Sequence, residues 1–377
     1  MNAAWRSLAR AETEQLHAGD TVLFRRGCTW EGNLTLRTGG TPQRKLIVTA
    51  YGDGSRPVLT LPSDSAHEAI VDMFADNIIL SSLKLAGARA AGVHIHAGAS
   101  DNAVEDVEVT SSGFGVQIEG DHNLISHTNA HDLRIIRSTP GGDDDFGAVG
   151  YVISGVGNEV AYSRCVRCRA PSDDYGTDGG FVEIWNSGDD TYVHHNYSTD
   201  NAGFFELGGE NLAHHANNVR VAYNIIEDSG GSLDVHTQGK FALIVTGLRF
   251  ENNTVIQSRK SEPQLIFFGS TRASLAVRNN IFFLTGPGLT VWLGSGDFDR
   301  SHNLYYTSNG ASVGLPLLRS ETHADPQFVS PETGDFRLRA TSPAKDAGIP
   351  LGYSIDFNGD PLPDPSDPSI GALNPVS

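Results

Sequence analysis

Phe181-Val182-Glu183-Ile184-Trp185, Phe204-Phe205-Glu206-Leu207-Gly208 and Ser232-Leu233-Asp234-Val235-His236 repeat one pattern, apolar-acidic-apolar. In an extended chain this sends the two apolar side chains to one face and the acid to the other. If each repeat is one turn of a coil, three carboxylates stand in a column on an outer face.

The same phase extends in both directions. Val93-His94-Ile95-His96, Val116-Gln117-Ile118-Glu119 and Tyr151-Val152-Ile153-Ser154 precede the three acidic segments, and Leu265-Ile266-Phe267-Phe268 and Leu289-Thr290-Val291-Trp292 follow them. Eight strands with one period-2 phase predict a repetitive β architecture whose unequal spacing reflects loops inserted between fixed strands. A second marker accompanies the first. Asn196, Asn224, Asn253, Asn280 and Asn303 each close a short apolar stretch, with Thr128 and Ser163 at the corresponding place in earlier turns. Stacked Asn side chains can hydrogen-bond from coil to coil, and Asn tolerates the left-handed conformation of a sharp corner. This ladder reads as structural.

These paired markers resemble the right-handed parallel β-helix of the pectate-lyase-like superfamily, over about three-quarters of the chain. The expected organisation is a single domain, 1–377. Residues 1–20 form an N-terminal cap with an amphipathic helix over Ala3–Leu16 (Trp5, Leu8, Ala11 and Leu16 on its stripe). Residues 21–310 form the coils, and 311–377 an irregular, Pro- and Asp-rich closing segment. An end cap is needed because an open solenoid end would present unpaired strand edges.

Composition limits the function. With 42 Gly, 17 Pro and only 2 Met, the chain suits strands and turns, and 39% hydrophobic with 19% charged residues makes it globular. A net charge of −18 argues against nucleic acid and anionic membranes as partners. No apolar run approaches a membrane helix. Met1–Trp5 lacks a signal-peptide hydrophobic region, so the expectation is a secreted, extracellular bacterial protein whose leader has been removed, or a cytoplasmic one. Three cysteines cannot form a full disulfide framework, and Cys165/Cys168, despite redox-motif spacing, read as structural burial. Asn33, Asn196 and Asn252 begin Asn-x-Ser/Thr triplets that read as chance matches.

In folds of this resemblance the substrate groove lies on the face carrying the acids, walled by long loops. The longest loops are Ser138–Gly147 and Cys168–Gly180, with Gly209–Asn217 and Thr237–Ala242 as the opposite wall. The outward column reads His94, Gln117, Val152, Glu183, Glu206, Asp234, Ile266, Thr290, and its neighbour column includes His96, Glu119, Trp185, His236 and Trp292. Three stacked like charges repel unless one is protonated or a cation lies between them.

Two chemical readings follow. In the first, Glu183, Glu206 and Asp234 are the catalytic acid, base or nucleophile of a glycoside hydrolase that needs no cofactor or metal. Asp178, Trp185, His236, His94, Glu119, Trp292 and Lys240 are its substrate-binding candidates, the tryptophans by stacking on sugar rings. In the second, the same three acids hold Ca²⁺ in a lyase or epimerase acting on a uronate polymer. That reaction needs a basic residue at the site; Lys240 and Arg220 are nearest in sequence, with His236 as an alternative. Either way the partner is a polysaccharide or oligosaccharide. The Asn-Thr-Asp, Asp-Asp and Arg-Ile-Lys motifs of polygalacturonase-like hydrolases are missing, so no role carries over from them. A third reading is a non-catalytic β-helix for glycan binding or adhesion. Asp143–Asp145 read as solvated loop charge, with a metal site as the lesser alternative, and His214-His215 sits in an insertion that could approach the groove.

Overall fold

A computed structural model describes residues 7–259, 263–362 and 366–376. It divides into two compact units, Met1–Gly188 and Asp189–Ser377.

In the first unit each coil contributes one strand to each of three parallel sheets. One coil, for example, is Ala103–Glu105, Glu108–Thr110 and Phe114–Ile118. The third sheet contains Leu34–Leu36, Val71–Met73, Ala91–Ile95, Phe114–Ile118, Val149–Ile153 and Gly180–Trp185 in spatial order. Its register places Asp72 beside His94, His94 beside Gln117, Gln117 beside Val152 and Val152 beside Glu183. The phase read from sequence therefore holds: Val93, Ile95, Val116, Ile118, Ile153 and Ile184 are completely buried. The outer column is the set of alternate positions.

The second unit repeats the plan. Its third sheet contains Phe205–Gly208, Leu233–Val235, Leu265–Ser270 and Trp292–Gly296. Glu206 pairs with Asp234, and Asp234 with Ile266. The last strand slips from the expected register, because Ile266 pairs with Leu293 and Leu265 with Trp292. Trp292, expected to face outward as a sugar platform, is buried and packs on Phe298 at 4.6 Å between ring centroids. Gly294 explains the slip: it offers no inward side chain, and a Cβ there would lie 2.6 Å from Trp292 Cζ2, so the indole fills that space.

The Asn ladder of the second unit is continuous. Asn196 Nδ2 donates to Asn224 Oδ1 (3.1 Å), Asn224 to Asn253 (2.9 Å), Asn253 to Asn280 (3.1 Å) and Asn280 to Asn303 (3.0 Å). Each Oδ1 also accepts the preceding coil's Asn backbone N–H. In the first unit Thr128 Oγ1 donates to Ser163 Oγ at 2.9 Å. One detail differs from expectation. The left-handed corner residue is the one before each ladder position, namely His195, Tyr223, Asn252, Asn279 and His302. The Asn side chain is thereby aimed along the stack while its neighbour takes the strained backbone. A second ladder, Asn102–Asn123–Asn158, lines another corner of the first unit, where Asn102 N–H donates to Asn123 Oδ1 (3.0 Å) and Asn123 N–H to Asn158 Oδ1 (2.9 Å). Asn33, Asn196 and Asn252 are all buried, which agrees with reading their triplets as chance.

At the N-terminus the expected helix is only Ala9–Thr13 among the described residues, with buried Leu8 preceding it; Trp5 lies outside them. No helix among the described residues is long and apolar enough to cross a membrane. Cys165 and Cys168 are completely buried and joined as a disulfide. The closing segment runs back along the flank of the second unit, where Phe328, Phe336, Leu338, Ile370 and Leu373 cover Ile225, Ile256, Ile281 and Leu304.

Candidate functional site

The second unit brings one expected pair together directly. Glu206 and Asp234 occupy register-paired positions on adjacent parallel strands, which in such sheets lie about 4.8 Å apart. His236 Nε2 lies 2.9 Å from Glu206 Oε1, with the Glu206 side chain 43% and the His236 side chain 29% exposed. Phe241 stands edge-on to His236, ring centroids 5.9 Å apart, and the Lys240 ammonium lies over Phe241 at 4.7 Å. Lys240 is exposed and directed onto that ring. An open hollow of about 300 Å³ is lined by Asp234, His236, Thr237, Gln238, Ile266 and Phe268. Phe268 is 38% exposed and gives the hollow an aromatic face.

The loops leaving these two strands make a wall of their own. His215–Asn217 pairs in parallel with Ile244–Thr246, and Gly209 N–H donates to Phe241 O. His215 is engaged with Asp189 at 3.1 Å. That contact ties the insertion to Asp189.

In the first unit Glu183 stands in the outer column of Gly180–Trp185, partly exposed, with Trp185 two residues further on the same face. The two long loops are hairpin arms, Ile135–Arg137 with Phe146–Gly147 and Ala170–Ser172 with Gly176–Asp178. Asp178 sits at the end of the second arm and accepts a hydrogen bond from Gly179 N–H at 2.7 Å. The arms are bound to each other through Asp145, which corrects its reading as solvated charge. Asp145 is buried and accepts from Ser172 Oγ (2.6 Å), Asp174 N–H (2.9 Å) and Thr139 N–H (2.6 Å). Burial alone would raise its pKa, but those donors outweigh it and hold the carboxyl well below the usual range. The base of the first arm lies over the outer face, where Ile136 packs on Phe114, Val149 and Val152.

A second cluster lies on the same face of the first unit, and sequence reasoning found only part of it. His94 and Glu119 were expected at the site; the structure adds Asp72 and His96. His96 Nε2 is 2.7 Å from Asp72 Oδ1, His94 Nδ1 is 3.9 Å from that oxygen, and His94 Nε2 is 3.1 Å from Glu119 Oε1. The imidazole rings are 3.7 Å apart. Burial, together with the adjacent His96, holds the His94 pKa below its usual value against the opposing pull of Glu119 and Asp72. The missed signal is legible in retrospect: Val71-Asp72-Met73 has the same apolar-acidic-apolar pattern, one coil before His94.

No family model and no curated protein sequence matches the chain. Solved structures do. A pectate lyase superposes over 98% of this chain and 90% of its own with a TM-score of 0.66 at 15% identity. A rhamnogalacturonan lyase covers 95% and 90% with a TM-score of 0.55 at 17% identity. A lacto-N-biosidase from Eubacterium ramulus covers 85% of this chain and 63% of its own with a TM-score of 0.56 at 11% identity. These likenesses show the fold, a right-handed parallel β-helix.

Proposed function

We propose that the chain degrades a polysaccharide by glycoside hydrolysis, with Glu206 and Asp234 as the reacting carboxylates. The observation that carries this is their pairing in register, half-exposed, beside a hollow with an aromatic face. Structures of this fold include lyases and a lacto-N-biosidase, so the choice rests on this chain's own residues. A uronate lyase needs a base beside its anionic substrate. Yet the register positions of the outer column, from Asp72 to Glu183 in the first unit and Glu206 to Leu293 in the second, hold neither Lys nor Arg, and His236, the other candidate base, is engaged with Glu206 at 2.9 Å.

Carboxylates about 5 Å apart suit a retaining mechanism. Glu206, oriented by His236, attacks the anomeric carbon while Asp234 protonates the leaving glycosidic oxygen. Asp234 then takes a proton from water, which displaces Glu206 from the glycosyl-enzyme. Phe268 offers a stacking face for a sugar ring. Glu183, in the first unit, is proposed to act on the same class of substrate.

The test is digestion of neutral and acidic polysaccharides with and without chelator, following reducing ends and absorbance near 235 nm together. The expected result is reducing ends without unsaturated products and without chelator sensitivity, with Glu206→Gln and Asp234→Asn each slower by about 10²–10⁴-fold. Unsaturated products lost on chelation would replace this reading by a lyase in which the acids hold Ca²⁺. Glycan binding with neither signal would leave a non-catalytic binder.

A further inference from the structure

We infer that Asp72, His94 and His96 form a site for one divalent transition-metal cation of the Zn²⁺ class, separate in its residues from the hydrolytic pair. His94 lies in Ala91–Ile95 and His96 directly past its end, alternate residues whose imidazoles share the outer face, and Asp72 is the register partner of His94 on the preceding strand of that sheet. One ligand atom from each of the three lies within 4.8 Å of the others. In a tetrahedral zinc site with bonds of about 2.0–2.1 Å, ligand atoms stand about 3.3 Å apart. The observed separations from Asp72 Oδ1, 2.7 Å to His96 Nε2 and 3.9 Å to His94 Nδ1, bracket that value and need only small side-chain rotations to meet it.

The surroundings are built as metal sites require. A ligating histidine normally directs its other ring nitrogen at a carboxylate, and a ligating carboxylate is itself hydrogen-bonded. Here Glu119 Oε1 stands 3.1 Å from His94 Nε2 and is itself held by Gln117 Nε2 at 3.0 Å. Asn33 Nδ2 donates to Asp72 Oδ2 at 2.7 Å and is fixed by Thr35 Oγ1 at 2.6 Å. His94 Nε2 is buried and, despite that short distance, is poorly aligned for a hydrogen bond. Metal on Nδ1 would place the ring proton on Nε2 and turn it onto Glu119. Phe74 stacks on His96 at 3.8 Å and 11°, which limits the rotation of that ring.

The donor set narrows the choice of ion. Two imidazoles and one carboxylate suit first-row transition ions such as Zn²⁺, Co²⁺, Ni²⁺ or Fe²⁺; Ca²⁺ takes oxygen ligands. Three protein ligands leave a fourth position for water or a ligand oxygen, and side chains 14–22% exposed give it access.

The experiment uses the full chain, stripped with EDTA and titrated calorimetrically with Zn²⁺ alone and with Ca²⁺ alone. The expected result is one Zn²⁺ per chain at micromolar affinity or tighter, no Ca²⁺ uptake at this site, and visible d–d absorption when Co²⁺ replaces Zn²⁺. His94→Gln and His96→Gln should weaken Zn²⁺ at least 100-fold with circular dichroism unchanged. Glu119→Gln, which leaves all three ligands in place, should weaken it about 10-fold, the lower end for loss of a supporting partner. Absence of stoichiometric Zn²⁺ uptake, or uptake that persists in folded His94→Gln and His96→Gln proteins, would overturn the assignment. So would a Glu119→Gln protein that binds as the parent does. None of these readouts depends on hydrolysis.

Discussion

Asp132 shows how a single corner residue couples charge to backbone in the first unit. Its φ of 51° is left-handed, a conformation Asp and Asn tolerate. Arg167 donates to it twice, at 2.6 and 2.9 Å, and His131 Nδ1 lies 2.7 Å away. Hydrogen bonding and charge from Arg167, then His131, overcome the effect of burial and hold the carboxyl at about 2. A depressed carboxyl stabilises the fold above the unfolded value of about 4 and loses that contribution as pH falls toward about 2. With the side chain 45% exposed, the effect is small. Asp132→Asn, which keeps the corner conformation, should lower stability by less than about 1 kcal/mol at pH 7. Urea titrations between pH 4 and pH 2 should show the gap closing; a gap that is constant or widens toward acid would contradict the pairing.

Among elements, the Asn ladder is where sequence and structure agree most closely. Its positions follow from one offset to the apolar strand, so Asn196 to Asn303 could be placed without coordinates. How the ladder ends could not. Asn303 Nδ2 donates to Glu321 Oε1 at 3.2 Å, and Glu321 also accepts from Arg300 (2.7 Å), Tyr305 (2.9 Å) and Leu318 N–H (2.9 Å). Glu321 sits outside every repeat, so only folding brings it to the ladder. Its side chain is fully buried, and Glu321→Gln should cost about 3–5 kcal/mol, the range for breaking a buried ion pair. Asn253→Ala should cost about 1–3 kcal/mol, because Asn224 loses the acceptor for both its backbone and side-chain N–H. Denaturant midpoints with an unchanged slope are the measure, and a shift for Asn253→Ala near zero would reduce the ladder to decoration. Where both strand parities are apolar, sequence is a poorer guide. Leu289, Val291 and Leu293 stand on one parity and Trp292 on the other; the expected phase put Trp292 outward, and the register with bare Gly294 beside it buries the indole. Asp72 is hard to read from sequence because its strand is only Val71–Met73, too short for periodicity to stand out.

For the molecule, the plan of coils and closing segment was legible from composition and phase, while the path of the closing segment was not. Its apolar residues are scattered among prolines and turns, and only contact with the flank of the second unit gives them a common face. Stacked coils gain stability chiefly from their neighbours, so an exposed flank is a liability that this segment covers. A chain ending after Thr307 should expose Ile225, Ile256, Ile281 and Leu304. The expected outcome is stronger binding of an apolar dye, self-association on size exclusion and a lower thermal midpoint; a monodisperse protein with an unchanged midpoint would show the cover to be dispensable.

That cover also arrives late. Ala372 N–H closes on Thr254 Oγ1 and Tyr353 Oη on Glu251, pairs separated by 118 and 102 residues. At a synthesis rate of about 5–20 residues per second, the interval between making Thr254 and making Ala372 is roughly 6 to 24 s. Through that interval the flank at Ile225 and Ile256, joined later by Ile281 and Leu304, lacks the residues that cover it in the completed fold. A chain arrested before residue 370 should therefore bind an apolar dye more strongly than the full chain, because Ile370 and Leu373 are part of what covers that flank.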